Sequence, residues 1–414
     1  MCDEESSRPL VLIEPYASAL SGHWTKALIL LAREAARQRR TCLIVAPNGV
    51  HEMLAEELIE NGCVIVQDAG GRMCSAGLLI SAGSGLTNVH NALVRRYPDR
   101  AVTYQFLHFA RALKEAAAVR LASRVTAHPS PMVLILTANE TLHAFSASLS
   151  GRPHLRYIHE ARCHEGRAIR LAERFGARGL SLTHAFCPTA GVALAVNARE
   201  PGLKTTVMPF GLAGEVDYIS ESERAGAAAS LGIGSGTPIA SLVGGWWASK
   251  DMATVADAVH RLRTPMRLLV AGQPLDDRLL DRMRAAENVE LIIRHEQLSA
   301  GLMRAVYGAS SFTIVSRHPD GCESGVLLDA GAYGVPVVTS DHDPELATKL
   351  RGQSWARVFH AGDPESLAEA LEWVCREALT RPSPSTSREL GMLTPGEMLR
   401  RLDQEMTCRE RKPG

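Results

Sequence analysis

The stretch CESGVLLDAGAYGVPVV, residues Cys322 to Val338, reads as a short polar loop, one amphipathic helix, a glycine stop and a buried strand. Glu323, Ser324 and Gly325 open the helix. Backbone N–H groups without helical partners and the positive end of the dipole make an anion site there. Asp329 follows within the next turns, so a carboxylate stands beside that site. Gly334 ends the helix, and Pro336 starts the apolar run Val337-Val338. A helix mouth shaped for phosphate, with a hydroxyl-binding carboxylate beside it, suits a sugar nucleotide. Taken alone, the same pattern also fits an ordinary helix–strand unit with a surface acid.

Outward from this unit, apolar runs of strand length alternate with helix-period segments through most of the chain, the signature of an α/β fold with parallel sheets. Strand candidates fall at Pro238 to Val243, Leu268 to Ala271, Val289 to Ile293, Phe312 to Ser316 and Val335 to Thr339. Helical spacing links them through Met252, Val255, Val259 and Leu262, and again through Leu298, Leu302, Val306 and Ala309. Five strands with four crossovers make a doubly wound domain. In the first half, Val11 to Glu14, Cys42 to Ala46, Met132 to Leu136 and His154 to Ile158 read as strands. A helix runs through Trp24, Ala27, Leu28, Leu31 and Ala35. Region 68–125 holds a Gly-rich stretch and then a helical pattern through Phe106, Phe109, Ala110 and Leu113.

Val207-Met208-Pro209-Phe210-Gly211 reads as a hinge, and RPSPSTS from Arg381 as a linker before a helix from Pro395 to Glu405. The expected organisation is a Rossmann-like domain over 1–207, a second over 208–380, and a linker with a C-terminal helix over 381–414. Two such domains joined by a hinge leave a cleft at the carboxyl ends of their strands, where open α/β sheets bind ligands.

Composition narrows the classes. At 414 residues, with 46% hydrophobic and 22% charged residues, the chain suits two ordinary globular domains. A formal net charge of +0 argues against a nucleic-acid partner, because phosphate neutralisation needs a basic field. The longest apolar runs are too short to cross a bilayer, which leaves at most peripheral membrane contact. The 9 cysteines form no C-x-x-C pair, and several, such as Cys42, sit in apolar runs as small core residues. This fits a reducing cytoplasm without structural zinc. The acidic start MCDEESSRP is no signal peptide, so a cytoplasmic location is expected. Lysines are few, so Lys250 carries weight where it stands inside a motif.

That motif is LVGGWWASKD, Leu242 to Asp251, after the first strand of the second domain. Gly244 and Gly245 permit a tight turn with close backbone approach. Lys250 stands where the next helix begins and can hold a diphosphate as a point charge. Trp246 and Trp247 read either as a cover for a donor sugar or as plain packing.

Taken together, these pieces resemble the retaining nucleotide-sugar glycosyltransferases of the GT-B fold, family four-like, most strongly from Pro238 to Leu371. Members carry a Gly, an Arg beside it and a Lys-Gly shortly after. Here Gly244 and Lys250 match, Gly245 stands in place of the Arg, and Asp251 in place of the last Gly. The family's paired glutamates, aligned on GAYGVPVV, fall on Gly321 and Asp329, with Asp320 and Glu323 flanking the gap. Glu323-Ser324-Gly325-Val326 looks like the Gln-Ser-Gly-Val form of some branches. VLIEPYASALSGHW, Val11 to Trp24, is similar to the loop facing donor phosphate and acceptor, which puts Gly22 and His23 on the acceptor side. IHEAR, Ile158 to Arg162, resembles the strand end whose His contacts the transferred sugar. GDPESLAEAL, from Gly362, resembles the last helix of the donor domain, after which the chain returns to the first domain.

The resemblance implies two Rossmann-like domains facing across a cleft, the first on the acceptor side and the second on the donor side. It further implies retaining, metal-independent transfer of a sugar from a nucleoside diphosphate sugar to an acceptor hydroxyl, with no cofactor beyond the donor. Lys250 and the amides from Ser324 to Val326 would face the diphosphate, Asp329 the ribose, and Glu323 or Asp320 the sugar. Arg294 would lie by the base and His159 by the sugar or acceptor. Without the family, His159 reads as a hydrogen-bonded rim histidine. The alternatives are a sugar-nucleotide epimerase or phosphorylase of the same fold, and a non-catalytic sugar-nucleotide binding protein. A dinucleotide-dependent oxidoreductase is disfavoured, because no G-x-G-x-x-G follows an early strand. Sugar, lipid-linked and small natural-product acceptors stay open.

Overall fold

The computed structural model describes residues 8–18, 22–66, 75–97, 100–126, 128–138, 142–161, 166–214, 218–234, 236–245, 250–296, 299–318 and 324–410. Trp246, Trp247, Asp320, Gly321 and Glu323, singled out above, lie outside the described residues. The chain divides into two compact units, Met1–Leu212 with Thr394–Gly414, and Ala213–Leu393.

The first unit runs β1 (Leu10–Ile13), α1 (Gly22–Arg37), β2 (Cys42–Val45), α2 (Glu52–Glu60), β3 (Val64–Val66), α3 (Ser75–Arg96), α4 (Ala101–Val125), β4 (Met132–Ile135), α5 (His143–Ser150), β5 (His154–Tyr157), α6 (Arg167–Gly176), β6 (Thr183–Cys187), α7 (Ala190–Arg199) and β7 (Lys204–Val207). Its seven strands order as β3-β2-β1-β4-β5-β6-β7, every pairing parallel. β1, β2 and β4 are buried along their whole length, as strands covered by helices on both faces must be. The difficult region after residue 68 resolves into α3 and α4, which pack on each other; a Cβ at Gly83 would come within 2.9 Å of the Ala110 carbonyl, so glycine sets their approach.

Beneath β5, the fully buried Arg156 is satisfied by three neighbours: Thr183 Oγ1 at 3.0 Å, His143 Nδ1 at 2.9 Å and His154 Nε2 at 2.8 Å. Glu115 lies 3.6 Å away as its counter-charge. The C-terminal helix α16 belongs to this unit, and Arg40 forks onto the Asp403 carboxylate at 3.0 and 3.1 Å.

The second unit runs α8 (Glu221–Ser230), β8 (Ile239–Gly244), α9 (Met252–Val259), β9 (Met266–Gly272), α10 (Asp277–Arg284), β10 (Val289–Arg294), α11 (Ala300–Ala309), β11 (Phe312–Val315), α12 (Gly325–Tyr333), β12 (Val337–Ser340), α13 (Pro344–Leu350), β13 (Ala356–Phe359), α14 (Pro364–Arg376) and α15 (Thr386–Glu389), before α16 (Pro395–Glu410). The order β10-β9-β8-β11-β12-β13 reverses its winding between β8 and β11. That neighbouring pair is the topological switch point, where the loops leaving two adjacent strands diverge and leave a crevice.

The sheet has six strands rather than the five expected, because β13 carries only Ala356 and Phe359 inward and so lacks an apolar run. β3 and β7 went unread for the same reason, being edge strands with mostly exposed or half-buried residues. The last strand of the opening motif begins at Val337 rather than Val335. Gly334 takes φ +72°, and the Val335 N–H caps α12 by donating to the Ala330 carbonyl at 2.8 Å.

Candidate functional site

At the carboxyl end of β8 two glycines allow backbones to touch. Gly244 has φ +106° and Gly272, its partner on β9, φ +127°; a Cβ on Gly272 would stand 2.3 Å from the Gly244 carbonyl oxygen. Only glycine suits this pair. The chain after β8 returns at Lys250, which bridges antiparallel to Arg317 beyond β11. The Asp251 N–H donates to the Ser316 carbonyl at 3.1 Å. Asp251 then caps α9, accepting from the Thr254 N–H at 3.0 Å and the Thr254 hydroxyl at 2.5 Å. From β12, Ser340 Oγ accepts from the Arg317 N–H at 3.1 Å and donates to the Arg317 carbonyl at 3.2 Å. The loops leaving β8, β11 and β12 are thus tied into one frame.

Lys250 folds back over β8, its ammonium donating to the Val243 carbonyl at 2.9 Å. A Cβ on Gly244 would lie 3.1 Å from Lys250 Nζ and 4.0 Å from Val326 Cγ2, so the ammonium and the first turn of α12 meet over that glycine. Ser324, 3% exposed, caps α12 by accepting from the Leu327 N–H at 3.4 Å. The N–H groups of Gly325 and Val326, ahead of the first helical bond, point out of the helix mouth. Lys250, Ser316, Arg317, Ser324 and Val326 line a small cavity open to solvent. Ser316, 2% exposed, has a hydroxyl without a hydrogen-bond partner among the described residues. A helix mouth, two cations and an unsatisfied hydroxyl therefore converge at the switch point of this unit.

Electrostatics reinforce the picture. Lys250 keeps some exposed surface as a residue, but its ammonium end is enclosed, and burial with the nearby Arg317 charge pulls its pKa down to about 7. Farther along α12, Asp329 faces the buried Tyr307 of α11, whose phenol is pushed well above its ordinary range by burial and by that carboxylate. Tyr307 stacks on Tyr333 at 4.9 Å between ring centres. Asp329 is half-buried, on the helix whose mouth lines the cavity.

The remaining sequence-derived residues sit elsewhere. Arg294 ends β10 with its guanidinium donating to the Leu231 carbonyl at 2.5 Å and the Ile293 carbonyl at 3.0 Å. Gly22 and His23 begin α1, and the His23 side chain is outside the described residues. His159 follows β5, 7% exposed, its Nε2 3.1 Å from the Leu136 carbonyl, an arrangement that requires the proton on Nε2. It lies edge-on to Phe210 at 4.1 Å and near Trp24 at 6.0 Å.

Two residues escaped the sequence reading. Arg317 stands two residues past the buried strand β11 at the switch point, a position that could have drawn notice. Glu14 directly follows β1 in the first unit's sheet and accepts from the Tyr16 N–H and the Thr137 hydroxyl, each at 2.8 Å. Burial lifts its pKa to about 7. Among the described residues no three His, Cys, Asp or Glu side chains are placed to hold a metal ion, and no helix is long and apolar enough to cross a membrane.

This architecture is shared with solved glycosyltransferases. The glycosyltransferase from Rickettsia africae ESF-5 superposes with a TM-score of 0.63 at 11% identity, covering 98% of this chain and 100% of that one. Anabaena Alr3699/HepE in complex with UDP and glucose gives 0.65 at 12%, covering 96% and 99%. Sucrose-phosphate synthase from Thermosynechococcus elongatus gives 0.60 at 16%, covering 98% of each. At such identities the likeness defines the fold, and the fold is GT-B. No curated protein matches the sequence significantly. Residues 237–377, however, match the family described as "Glycosyl transferases group 1". That match lies within the second unit, over the stretch where the sequence resemblance is strongest.

Proposed function

We propose that the protein is a retaining glycosyltransferase that moves a sugar from a nucleoside diphosphate sugar to an acceptor hydroxyl. The observation that carries this reading is the meeting of Lys250 Nζ with the mouth of α12 over Gly244, beside one cavity at the switch point. In the proposed mechanism the Lys250 ammonium and the N–H groups of Gly325 and Val326 hold the diphosphate. As the bond between the anomeric carbon and the phosphate oxygen lengthens, negative charge grows on that oxygen and positive charge on the sugar ring. Preorganised positive charge at the phosphate lowers this barrier. Because lysine and the helix mouth supply that charge, the reaction proceeds without a metal ion. Asp329 holds the ribose hydroxyls, Glu323 or Asp320 the sugar, Arg294 lies by the base, and His159 with Gly22 and His23 serves the acceptor side. UDP or a UDP-sugar is the first donor to try, since Alr3699/HepE is solved with both. We place the protein in the cytoplasm, acting on a sugar, lipid-linked or small natural-product acceptor.

The test is release of nucleoside diphosphate from UDP-, GDP- and dTDP-sugars by the purified protein with an acceptor panel, in the presence of EDTA. Product NMR reads the anomeric configuration. Acceptor-dependent release with retained configuration is expected. Donor isomerisation, dependence on phosphate, or inversion would refute the reading.

A further inference from the structure

Arg317 has no role in the function drawn from the sequence, yet it is built into the same cavity. It is 8% exposed, and its backbone is fixed by Ser340 from β12 and by the bridge to Lys250. A long, rotamer-rich side chain confined in this way loses much conformational freedom. It also stands where its charge bears directly on the Lys250 ammonium. Two cations brought together by the backbone of one frame repel each other, and an anion between them turns that repulsion into attraction. Beside them lie the α12 mouth and the unsatisfied Ser316 hydroxyl. β8 itself ends at Gly244, with Gly245 next, and supplies no cation of its own.

Resting on the glycosyltransferase reading, we propose that Arg317 is the second cation of the diphosphate site, clamping the two phosphates together with Lys250, the α12 amides and Ser316 Oγ. The planar guanidinium suits two phosphate oxygens at once, whereas Lys250 acts as a point charge. The juxtaposition also sets the proton balance of binding. Among the described residues, the Arg317 charge disfavours protonation of Lys250, and Asp251, next in sequence, turns its carboxylate onto the α9 N-terminus and Thr254. His318 Nδ1 lies 3.8 Å from that same Asp251 carboxylate. With Lys250 near neutrality in the free protein, the arriving diphosphate draws a proton onto it. Affinity then falls as pH rises through the free lysine's pKa, and each bound nucleotide carries up to one proton from the buffer.

Isothermal titration of the wild type, Arg317→Gln, Arg317→Lys and Lys250→Ala with UDP, GDP, ADP and dTDP tests this. Each diphosphate is compared with its parent nucleoside, in two buffers of different ionisation enthalpy. For the preferred diphosphate, Arg317→Gln is expected to weaken binding roughly 10- to 100-fold, the range of one charge-assisted contact, while nucleoside binding holds. Arg317→Lys recovers part of the loss. In Arg317→Gln, proton uptake at pH 7.5 shrinks, because Lys250 without its neighbour is protonated to a greater extent before the diphosphate arrives, although burial still holds its pKa down. Wild-type affinity in Arg317→Gln, or equal loss of nucleoside and diphosphate, overturns the Arg317 assignment alone. Failure of the wild type to bind any diphosphate overturns the assignment and the glycosyltransferase reading together. Melting curves identify a variant that fails to fold, in which case Arg317→Lys decides: weaker diphosphate binding with nucleoside binding kept supports the clamp, and wild-type diphosphate affinity, or equal loss of nucleoside and diphosphate, in that folded variant refutes it.

Discussion

Replacing Lys250 by Met should abolish diphosphate binding and, at acid pH, stabilise the second unit. The native structure holds an ammonium whose pKa has fallen from 10.5 to about 7, so the charged form is strained by burial and by Arg317. The unstrained lysine of the unfolded chain keeps its proton over that whole interval. Below pH 7 both states are protonated, and the folded state bears the full penalty. A shift of this size at about 1.4 kcal/mol per unit sets an upper bound of ~5 kcal/mol. Removing the ammonium also deprives the Val243 carbonyl of its partner, a loss of about 1 kcal/mol. Partial exposure of the side chain lowers the total further, so Lys250→Met should gain about 2 to 3 kcal/mol at pH 6. Above pH 7 the wild-type native state releases its proton while the unfolded chain does not, and wild-type stability rises by about 1.4 kcal/mol per pH unit. By pH 9 most of the variant's advantage should be gone. Urea unfolding at both pH values, with hydrogen exchange of the β8 amides reporting the second unit by itself, reads the difference. An advantage that is absent at pH 6, or equal at pH 6 and pH 9, would refute the reasoning.

Three further outcomes follow from the same structure. Gly244→Ala must adopt φ +106° with its methyl 3.1 Å from Lys250 Nζ, so diphosphate affinity should fall at least tenfold and stability by roughly 1–3 kcal/mol, by titration and urea melts. Arg156→Met leaves Glu115 buried without its counter-charge and should cost about 3–5 kcal/mol by urea unfolding, with diphosphate affinity of the folded fraction unchanged. Glu14→Gln mimics the neutral carboxyl that burial favours. The wild-type carboxyl, raised to about 7, loses stability as pH climbs from its ordinary value toward 7. The variant's advantage in melting experiments should therefore grow over that window by about 1 kcal/mol per pH unit and then level off.

What the sequence disclosed depended on burial. β8, β9, β11 and β12 announced themselves because nearly every residue is covered, giving continuous apolar runs. β6 hid because its Thr183 and His184 are polar residues made tolerable indoors by partners, Arg156 for the first and Thr206 for the second. Gly244, Lys250 and Ser324 were legible because strand-to-helix turns in α/β folds have few uses for a glycine, a rare lysine and a capping serine together. Arg317 was not, because its significance lies in a bridge to a residue far away in sequence. Glu14 was read only as a strand end, since nothing local reveals that Thr137 waits for its carboxylate.

The central claim is that a nucleoside diphosphate rests at the mouth of α12 against Lys250. The most direct measurement is the position of phosphate density in a crystal of this protein grown with UDP or the preferred diphosphate. Phosphate oxygens are expected within hydrogen-bond distance of Lys250 Nζ and of the Gly325 and Val326 amides. Density for the nucleotide at any other place, or none at a saturating concentration, would contradict it.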